Sequence, residues 1–414
     1  MTRMASHERA VLTASLTLAA LALGWGCSPA PRPPAGAAKD FVGSDACAEC
    51  HREIFDRWER TLMANVVQEP SERPEAVLGD FEAPNELVTF GIEDVAFTYG
   101  SRWKQRYFTR VGNDYYVFPA QWDVEAGTWR RYLPQPGSDW WTEHYPVDPM
   151  RRPTGPLCDG CHSVNYDIRA KTVTEWNVGC ERCHGAGSLH VEFPIRETIE
   201  SAKWPADPVR ATDVCIQCHS QGRPPSNPID GQYYDWPVGY QPGDRLSDYW
   251  VLDERHLGEE TFTHWPEGSA HKNRMQGNDF VQSQMYVKGV TCSGCHDPHG
   301  TEHEADLRLP GNDVCTECHD PQLQPGPRGT LTHHTQHEAE SEGSRCVACH
   351  MPPIARTVGD TSVRSHTFRF VSPALTERYG IPNPCTSCHE DRSTEWAMEE
   401  LAAWPSISPW RMGG

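Results

Sequence analysis

The clearest run of hydrophobic positions lies at the N-terminus, where residues 10–26 are almost entirely apolar and follow Arg3 and Arg9. The run is shorter than the ~20 apolar residues that a membrane-spanning helix needs. A basic segment followed by a short apolar run is typical of a secretory signal. We therefore predict that residues 1–26 are a signal peptide and that the protein is exported. An N-terminal membrane anchor is the alternative.

Extended patterns occur mainly between residues 85 and 135, where β-branched and aromatic residues are frequent. Residues 107–111 and 115–118 flank the turn sequence Gly112-Asn113-Asp114, which predicts a hairpin. A second turn is indicated at residues 124–129. We expect a small antiparallel β insert here. Elsewhere, only short helices are indicated, such as residues 53–65 and 394–404, and no long periodic helix occurs.

Composition adds a puzzle about the interior. Only 37% of the 414 residues are hydrophobic, and 35 are proline. The aromatic fraction of 10% is nevertheless too high for a disordered chain. The formal charge of −20 argues against binding nucleic acid through a basic surface. Something other than aliphatic side chains should therefore fill the core.

The cysteines indicate what fills the core in place of aliphatic side chains. Sixteen of the 17 cysteines fall into eight Cys-x-x-Cys-His motifs, numbered 1 to 8 in chain order. They are Cys47/Cys50/His51, Cys158/Cys161/His162, Cys180/Cys183/His184, Cys215/Cys218/His219, Cys292/Cys295/His296, Cys315/Cys318/His319, Cys346/Cys349/His350 and Cys385/Cys388/His389. This motif is the attachment signature of c-type haem. Two thiols at this spacing can each bond one haem vinyl group, and the adjacent imidazole becomes the proximal iron ligand. We predict eight covalently attached haem c groups that occupy the core.

Three other readings compete for the cysteines. Disulfides are common in exported proteins, but they do not require a histidine after each pair. Zinc sites with four cysteines would not explain why a histidine directly follows each of the eight cysteine pairs. Iron–sulfur clusters use other cysteine spacings.

Eleven histidines remain outside the signal and the motifs, enough to give each iron a second imidazole. His190 and His299 lie too close to motifs 3 and 5 to bind the same iron from its far side, so we expect each to reach a neighbouring haem. Upstream of later motifs, the candidates are His271, His333, His337 and His366, and at most one of His333 and His334 should bind. A surface or core histidine is the alternative for each. Met63 is an alternative sixth ligand at motif 1, or a methionine packed in a helix.

Cys27 ends the apolar run and resembles the lipidated cysteine of bacterial lipoproteins, although Gly24 stands where that signal usually has leucine. Residues 27–40 are a Pro/Ala linker that cannot pack. We predict a lipid tether at Cys27, with a plain cleaved signal as the alternative. The protein would then be periplasmic or an outer-membrane or cell-surface lipoprotein of a bacterium.

Motif spacing suggests an order of segments along the chain. The predicted organisation is a haem 1 segment at 41–70, the β insert at 71–150 with its strands at about 85–135, haems 2–4 at 151–225, an aromatic insert at 226–270, haems 5–8 at 271–400 and a tail at 401–414. Motif gaps are unequal, so a solenoid is not expected.

With these motifs, the chain resembles the multihaem c-type cytochromes of the doubled CxxCH family, related to the tetrahaem cytochrome of ammonia oxidisers. The resemblance rests on segments 156–166, 176–190, 270–275, 289–300, 346–352 and 364–385. It implies a mainly irregular, short-helix fold wrapped around its haems. It also implies extracytoplasmic electron transfer with redox proteins or quinone-linked donors as partners.

Three functional hypotheses follow. The first is an electron relay through closely spaced, mostly bis-histidine haems, with no catalytic residue. The second is an oxidoreductase of the nitrite reductase or hydroxylamine oxidoreductase type, with one open haem and a pocket of His144, Tyr145, Arg151 and Arg152. The third is a filament in which a surplus histidine such as His256 or His303 binds a neighbour's iron.

Overall fold

A computed structural model describes residues 32–34, 36–132, 140–319, 331–358 and 361–404. The predicted signal, Cys27 and most of the tail lie outside these ranges. Helices in the described part are short: α1 (Ser44–Ala48), α2 (Arg52–Trp58), α3 (Glu181–His184), α4 (Ser188–Glu192), α5 (Pro208–Ile216), α6 (Gln276–Phe280), α7 (Gln284–Val287), α8 (Cys292–Cys295), α9 (Asp313–Thr316), α10 (Leu331–Thr335), α11 (Cys346–His350), α12 (Pro373–Tyr379) and α13 (Thr394–Ala403). Among the described helices, none has the length and apolarity to span a bilayer.

Strands concentrate between motifs 1 and 2. The strands are β1 (Val67–Gln68), β2 (Phe97–Tyr99), β3 (Lys104–Val111), β4 (Asp114–Asp123), β5 (Thr128–Arg131), β6 (Ser163–Val164), β7 (Glu175–Trp176), β8 (Gly222–Arg223), β9 (Val251–Leu252), β10 (Pro353–Val358) and β11 (Thr361–Arg364). The first five form one antiparallel sheet in sequential order. The others pair as two-stranded ribbons, β6 with β7, β8 with β9 and β10 with β11.

The predicted hairpin is confirmed. Val111 pairs with Asp114, so Gly112 and Asn113 form the two-residue turn, and Gly112 has the positive φ of 65° that such a turn needs. The second predicted turn joins β4 and β5. The sheet also takes in Val67–Gln68, which lies before the predicted start. A two-residue strand carries too little alternation to be found from sequence.

Aromatic side chains cover both faces of this sheet. Tyr107 packs with Phe90, Phe118 and Trp129 on one face, while the adjacent Phe108 packs with Tyr99 on the other. A register shift between Arg106 and Phe108 interrupts the pairing there. Because consecutive residues are buried on opposite faces, the strand does not show the polar–apolar alternation of a half-exposed sheet.

The predicted helix at 53–65 is shorter than expected. α2 ends at Trp58, where Thr61 Oγ1 donates to the Trp58 carbonyl at 2.8 Å and the Asn65 side chain donates to the Glu59 carbonyl at 2.7 Å. These side chains take carbonyls that further helix would have used. The helix predicted near 394 is present as α13, with Ser393 as its N-cap.

The aromatic insert packs against the motif segments. Tyr234 and Trp236 are buried with Cys161 of motif 2, and Tyr240 and Trp250 are buried with Ile216 of α5. The indole of Trp236 donates to the Gly155 carbonyl at 2.9 Å. The insert therefore joins the segments of motifs 2 and 4.

The Tyr107 hydroxyl should stabilise the β insert. It accepts from the Gly79 N–H and donates to Gln105 Oε1, both at 2.8 Å, and the side chain is 0% exposed. Tyr107→Phe leaves the half-buried Gly79 N–H without this acceptor, at a cost of about 1–3 kcal/mol. We expect a lower melting temperature by near-UV circular dichroism of the holoprotein. Tyr116→Phe, at a half-buried position of β4, is the matched control, and equal melting temperatures would contradict the expectation.

Candidate haem-binding sites

Each motif is built on about one turn of helix. In six motifs the N–H groups of the second cysteine and of the histidine both donate to the carbonyl of the first cysteine; these are motifs 1, 2, 3, 4, 6 and 8. In motif 1, for example, the distances to the Cys47 carbonyl are 3.3 Å from Cys50 and 2.9 Å from His51. The turn fixes both thiols and the imidazole in one compact arrangement, as attachment to a single haem requires.

The cysteines do not form the competing structures. All sixteen motif cysteines lie in the described part of the chain, and none of them forms a disulfide. Within the described residues, no cluster of three or more metal-ligating side chains occurs. The geometry thus favours neither disulfides nor zinc or iron–sulfur sites.

The motif cysteines differ in their exposure. Cys318 and Cys388 are exposed, as is Cys50 of motif 1, and Cys349 is only half-buried. Burial of a thiol needs packed neighbours, and the aromatic insert that buries Cys161 does not extend to these motifs. Among the described residues, no buried hydrophobic cluster contains Cys318, Cys349 or Cys388. Attachment of haems at these motifs and their position in the core stay predictions.

Five motif histidines face a second imidazole at the distance expected for two imidazoles bound to one iron. An imidazole nitrogen binds a metal at about 2.0–2.1 Å, and the ring centre lies about 1.1 Å further back, so two imidazoles on one iron have centroids about 6.3 Å apart. The observed pairs are His51–His190 at 6.3 Å, His184–His299 at 6.2 Å, His296–His366 at 6.5 Å, His350–His334 at 6.2 Å and His389–His337 at 6.2 Å. Direct ring stacking is closer, as in His144 on Tyr233 at 3.6 Å. The residues present therefore fit bis-imidazole ligation of haem iron.

Hydrogen bonds orient these rings consistently. In six of the ten, Nδ1 bonds a carbonyl or carboxylate oxygen at 2.6–3.1 Å; these are His184, His190, His296, His299, His337 and His366. Because a carbonyl can only accept, Nδ1 carries the proton and Nε2 keeps the lone pair that binds metal. His271 bonds the Thr261 carbonyl through Nε2 instead, at 2.8 Å.

The structure brings together most of the sequence-derived candidates. His190 and His299 each face the histidine of a different motif, namely motif 1 and motif 3. His366 faces motif 5 and His337 faces motif 8. At the adjacent pair, His334 rather than His333 faces His350. Neighbouring histidines in one polar segment are indistinguishable without the orientation that α10 gives them.

His271 and Met63 have other surroundings. The His271 ring packs beside Trp265, with centroids 5.2 Å apart. At motif 1, His190 faces His51, and the Met63 carbonyl accepts from the Val178 N–H at 3.1 Å.

Three motif histidines have no such partner in the part of the chain that the structure describes. Among the described residues, no stacked imidazole pair includes His162, His219 or His319. Burial, followed by the charges of Arg274 and Arg106, lowers the pKa of His162 to about 4. His162 is therefore a neutral imidazole over most of the pH range, which suits a metal ligand.

The thiols reveal which motifs are neighbours. In four pairs the pKa of one thiol is raised by the other thiol, which shows that motifs 1 and 3, 2 and 4, 4 and 5, and 6 and 7 are close together; the pairs are Cys47–Cys180, Cys161–Cys218, Cys215–Cys292 and Cys315–Cys346. Longer-range effects on thiol pKa values connect motif 3 with 4 and motif 5 with 6. His334 and His337, which face motifs 7 and 8, lie in and directly after α10. The motifs therefore form one connected series with motif 2 as a side branch at motif 4.

Comparison with known proteins also supports haem binding by these motifs. The doubled CXXCH motif family matches residues 285–324, which contain motifs 5 and 6. The multiheme cytochrome MtrA of Shewanella baltica (strain OS185) is 25% identical over 160 residues, covering 34% of this chain and 41% of that protein. The chain thus matches less than half of the length of this curated relative. The chain is a multihaem c-type cytochrome. The cytochrome carries covalently bound haem c.

Solved structures extend the likeness over most of the chain. The outer cell wall cytochrome OcwA has a TM-score of 0.72 at 22% identity, covering 88% of this chain and 86% of that chain. The undecaheme cytochrome from the S-layer of Carboxydothermus ferrireducens has a TM-score of 0.50 at 17% identity, covering 90% and 61%. At these identities the likeness concerns the fold.

Replacing His299 should test the pairing at motif 3. A thioether ligand in place of imidazole raises the potential of a haem. In His299→Met we expect an unchanged haem content, one altered low-spin signal in electron paramagnetic resonance (EPR) spectra and one midpoint potential shifted upward. His256→Met, at an exposed histidine outside the five pairs, should match the wild type. Identical spectra for both variants would refute the pairing.

Proposed function

We propose that this cytochrome is an extracytoplasmic electron relay with eight covalently attached haem c groups, most of them held by two histidines. The observation that carries the proposal is the set of five imidazole pairs with centroids 6.2–6.5 Å apart, each containing one motif histidine. Bound between two imidazoles, haem iron supplies a one-electron couple with a stable ligand set. Such sites suit electron exchange rather than substrate binding.

Motif proximity supports a continuous path for electrons. Mutual effects of close thiols connect motifs 1 and 3, 4 and 5, and 6 and 7, and longer-range effects connect motifs 3 and 4 and motifs 5 and 6. Because each cysteine sulfur would bond the edge of its haem, neighbouring sulfurs imply neighbouring haem edges. We infer a path 1–3–4–5–6–7–8, with haem 2 as a side branch at haem 4.

The net charge and the names of the structural neighbours support the proposed redox partners and the proposed extracytoplasmic location. The charge of −20, before haem propionates are added, favours redox partners with basic docking surfaces. Two structural neighbours are named for the outer cell wall and the S-layer. We propose export through the 1–26 signal and a periplasmic or surface location, with a lipid tether at Cys27 and redox proteins or quinone-linked donors as partners.

A specific observation keeps the enzyme hypothesis as a second candidate. His162, His219 and His319 have no imidazole partner in the described part of the chain, so their irons are the places for an open coordination site. Reduction of nitrite or oxidation of hydroxylamine would need such a site.

The four residues expected in the pocket of that enzyme have different surroundings. Burial raises the pKa of Cys158 in motif 2 to about 12, and the charge of Arg152, which is 2% exposed, acts in the opposite direction. Arg151 and His144 are exposed, and the His144 ring stacks on Tyr233. The Tyr145 hydroxyl donates to the Tyr233 carbonyl at 2.5 Å. Arg152 is the member of this set that remains a candidate for substrate binding at motif 2.

One redox experiment separates the candidates. We expect the holoprotein to have a mass excess of eight haems, and EPR-monitored titration to show at least five bis-imidazole low-spin centres. Added nitrite or hydroxylamine should leave every signal unchanged if the protein is a relay. A high-spin signal that shifts with either compound would instead support the enzyme. Absence of low-spin bis-imidazole signals would refute the relay. Electron microscopy of concentrated protein tests the filament hypothesis, for which monomers alone are the negative result.

A further inference from the structure

A buried carboxylate ties together chain segments around motifs 1 and 3. Glu181 lies inside motif 3 and is 1% exposed. Its Oε1 accepts from the N–H of Gly187 at 2.7 Å and of Val42 at 3.0 Å, and its Oε2 accepts from the N–H of Gly43 at 2.8 Å. No ion pair involves Glu181 within the described residues. Backbone donors alone therefore satisfy this buried group.

The bonded segments carry the two imidazoles of motif 1. Val42 and Gly43 immediately precede α1, which contains Cys47, and His51 follows that helix. Gly187 immediately precedes α4, which contains His190, the partner of His51. From its position in motif 3, Glu181 thus holds the backbone just before α1, which leads to His51. It also holds the backbone just before α4, which carries His190.

A second carboxylate strengthens the same junction. Glu175 accepts from the Ser44 hydroxyl at 2.7 Å and from the Ser44 N–H at 3.1 Å. The Ser44 hydroxyl in turn accepts from the Cys180 N–H at 2.9 Å. Motifs 1 and 3 are therefore joined directly through Ser44 as well as through Glu181.

The chemistry of this junction has two consequences. Burying a carboxylate is costly, and several charge-assisted hydrogen bonds from N–H groups offset that cost only when the donors keep their positions. The carboxylate consequently resists movement of the three segments. A buried negative charge beside a haem also stabilises the ferric state, which lowers the haem potential.

We propose that Glu181 is a positioning residue that fixes the axial imidazoles of motif 1 against motif 3 and keeps the potentials of these two haems low. This inference rests on the proposed relay, since it assigns the junction between its first two haems. Glu181 acts through the backbone of Val42, Gly43 and Gly187 and is not itself a ligand.

Glu181→Gln tests the proposal, with Glu49→Gln as the matched control. Both variants remove one negative charge inside a haem motif, but Glu49 is exposed and Glu181 is buried. In Glu181→Gln we expect two midpoint potentials to shift upward and the EPR signal of motif 1 to change, with haem content unchanged. That signal is identified as the one altered in His190→Met. Glu49→Gln should keep the wild-type signal, with smaller shifts in potential.

Equal potentials and equal EPR signals in Glu181→Gln and Glu49→Gln would overturn the proposal. If Glu181→Gln yields no holoprotein, Glu181→Asp provides the second test, because it keeps the charge but shortens the reach to the N–H groups of Val42, Gly43 and Gly187. We expect Glu181→Asp to alter the motif 1 signal with little change in potential, and a wild-type signal would overturn the proposal. A wild-type protein without bis-imidazole haems would refute the relay itself, whatever these variants show.

Discussion

Two imidazoles can share one iron only when their rings face each other about 6.3 Å apart, and this spacing explains much of the arrangement of the chain. A histidine in the same short motif cannot reach the far side of its own haem. The second imidazole must come from another segment, and His190 faces the histidine of motif 1 while His299 faces that of motif 3. An iron bound by such a pair would hold two segments at a fixed separation.

The irregular backbone creates a second requirement, namely acceptors for its buried N–H groups. With few long helices and small sheets, many backbone N–H groups have no partner in regular secondary structure, yet buried ones need an acceptor. Buried carboxylates meet this need. Asp279 accepts from the N–H groups of Ala270 and His366 at 2.8 and 2.9 Å and from the Ser365 hydroxyl at 2.6 Å, and burial raises its pKa to about 6. Like Glu181, it holds a segment whose histidine faces a motif histidine.

The β insert is connected to this system rather than separate from it. Tyr99 of β2 donates to Asp159 Oδ1 at 2.9 Å, and Asp159 lies inside motif 2. The ring of Tyr99 also packs against His162, with centroids 5.0 Å apart. Burial raises the pKa of Asp159 to about 6, although its hydrogen bonds from Thr154 and Tyr99 act in the opposite direction. The sheet therefore supports the motif that branches from the main series.

The amino-acid sequence by itself determined the chemistry and the local structure. Cys-x-x-Cys-His defines a site within five consecutive residues, and the Gly112-Asn113 turn defines its hairpin through backbone conformation, so both were readable without coordinates. Only the tertiary structure decided which imidazoles meet and which thiols are buried. His334 faces motif 7 while His333 does not, and His271 uses Nε2 for a carbonyl, although all three lie in similar polar segments. The role of Glu181 was equally hidden, because its donors lie 139 residues before it and six after it along the chain. Such pairings depend on long-range packing and ring orientation, which local sequence does not encode.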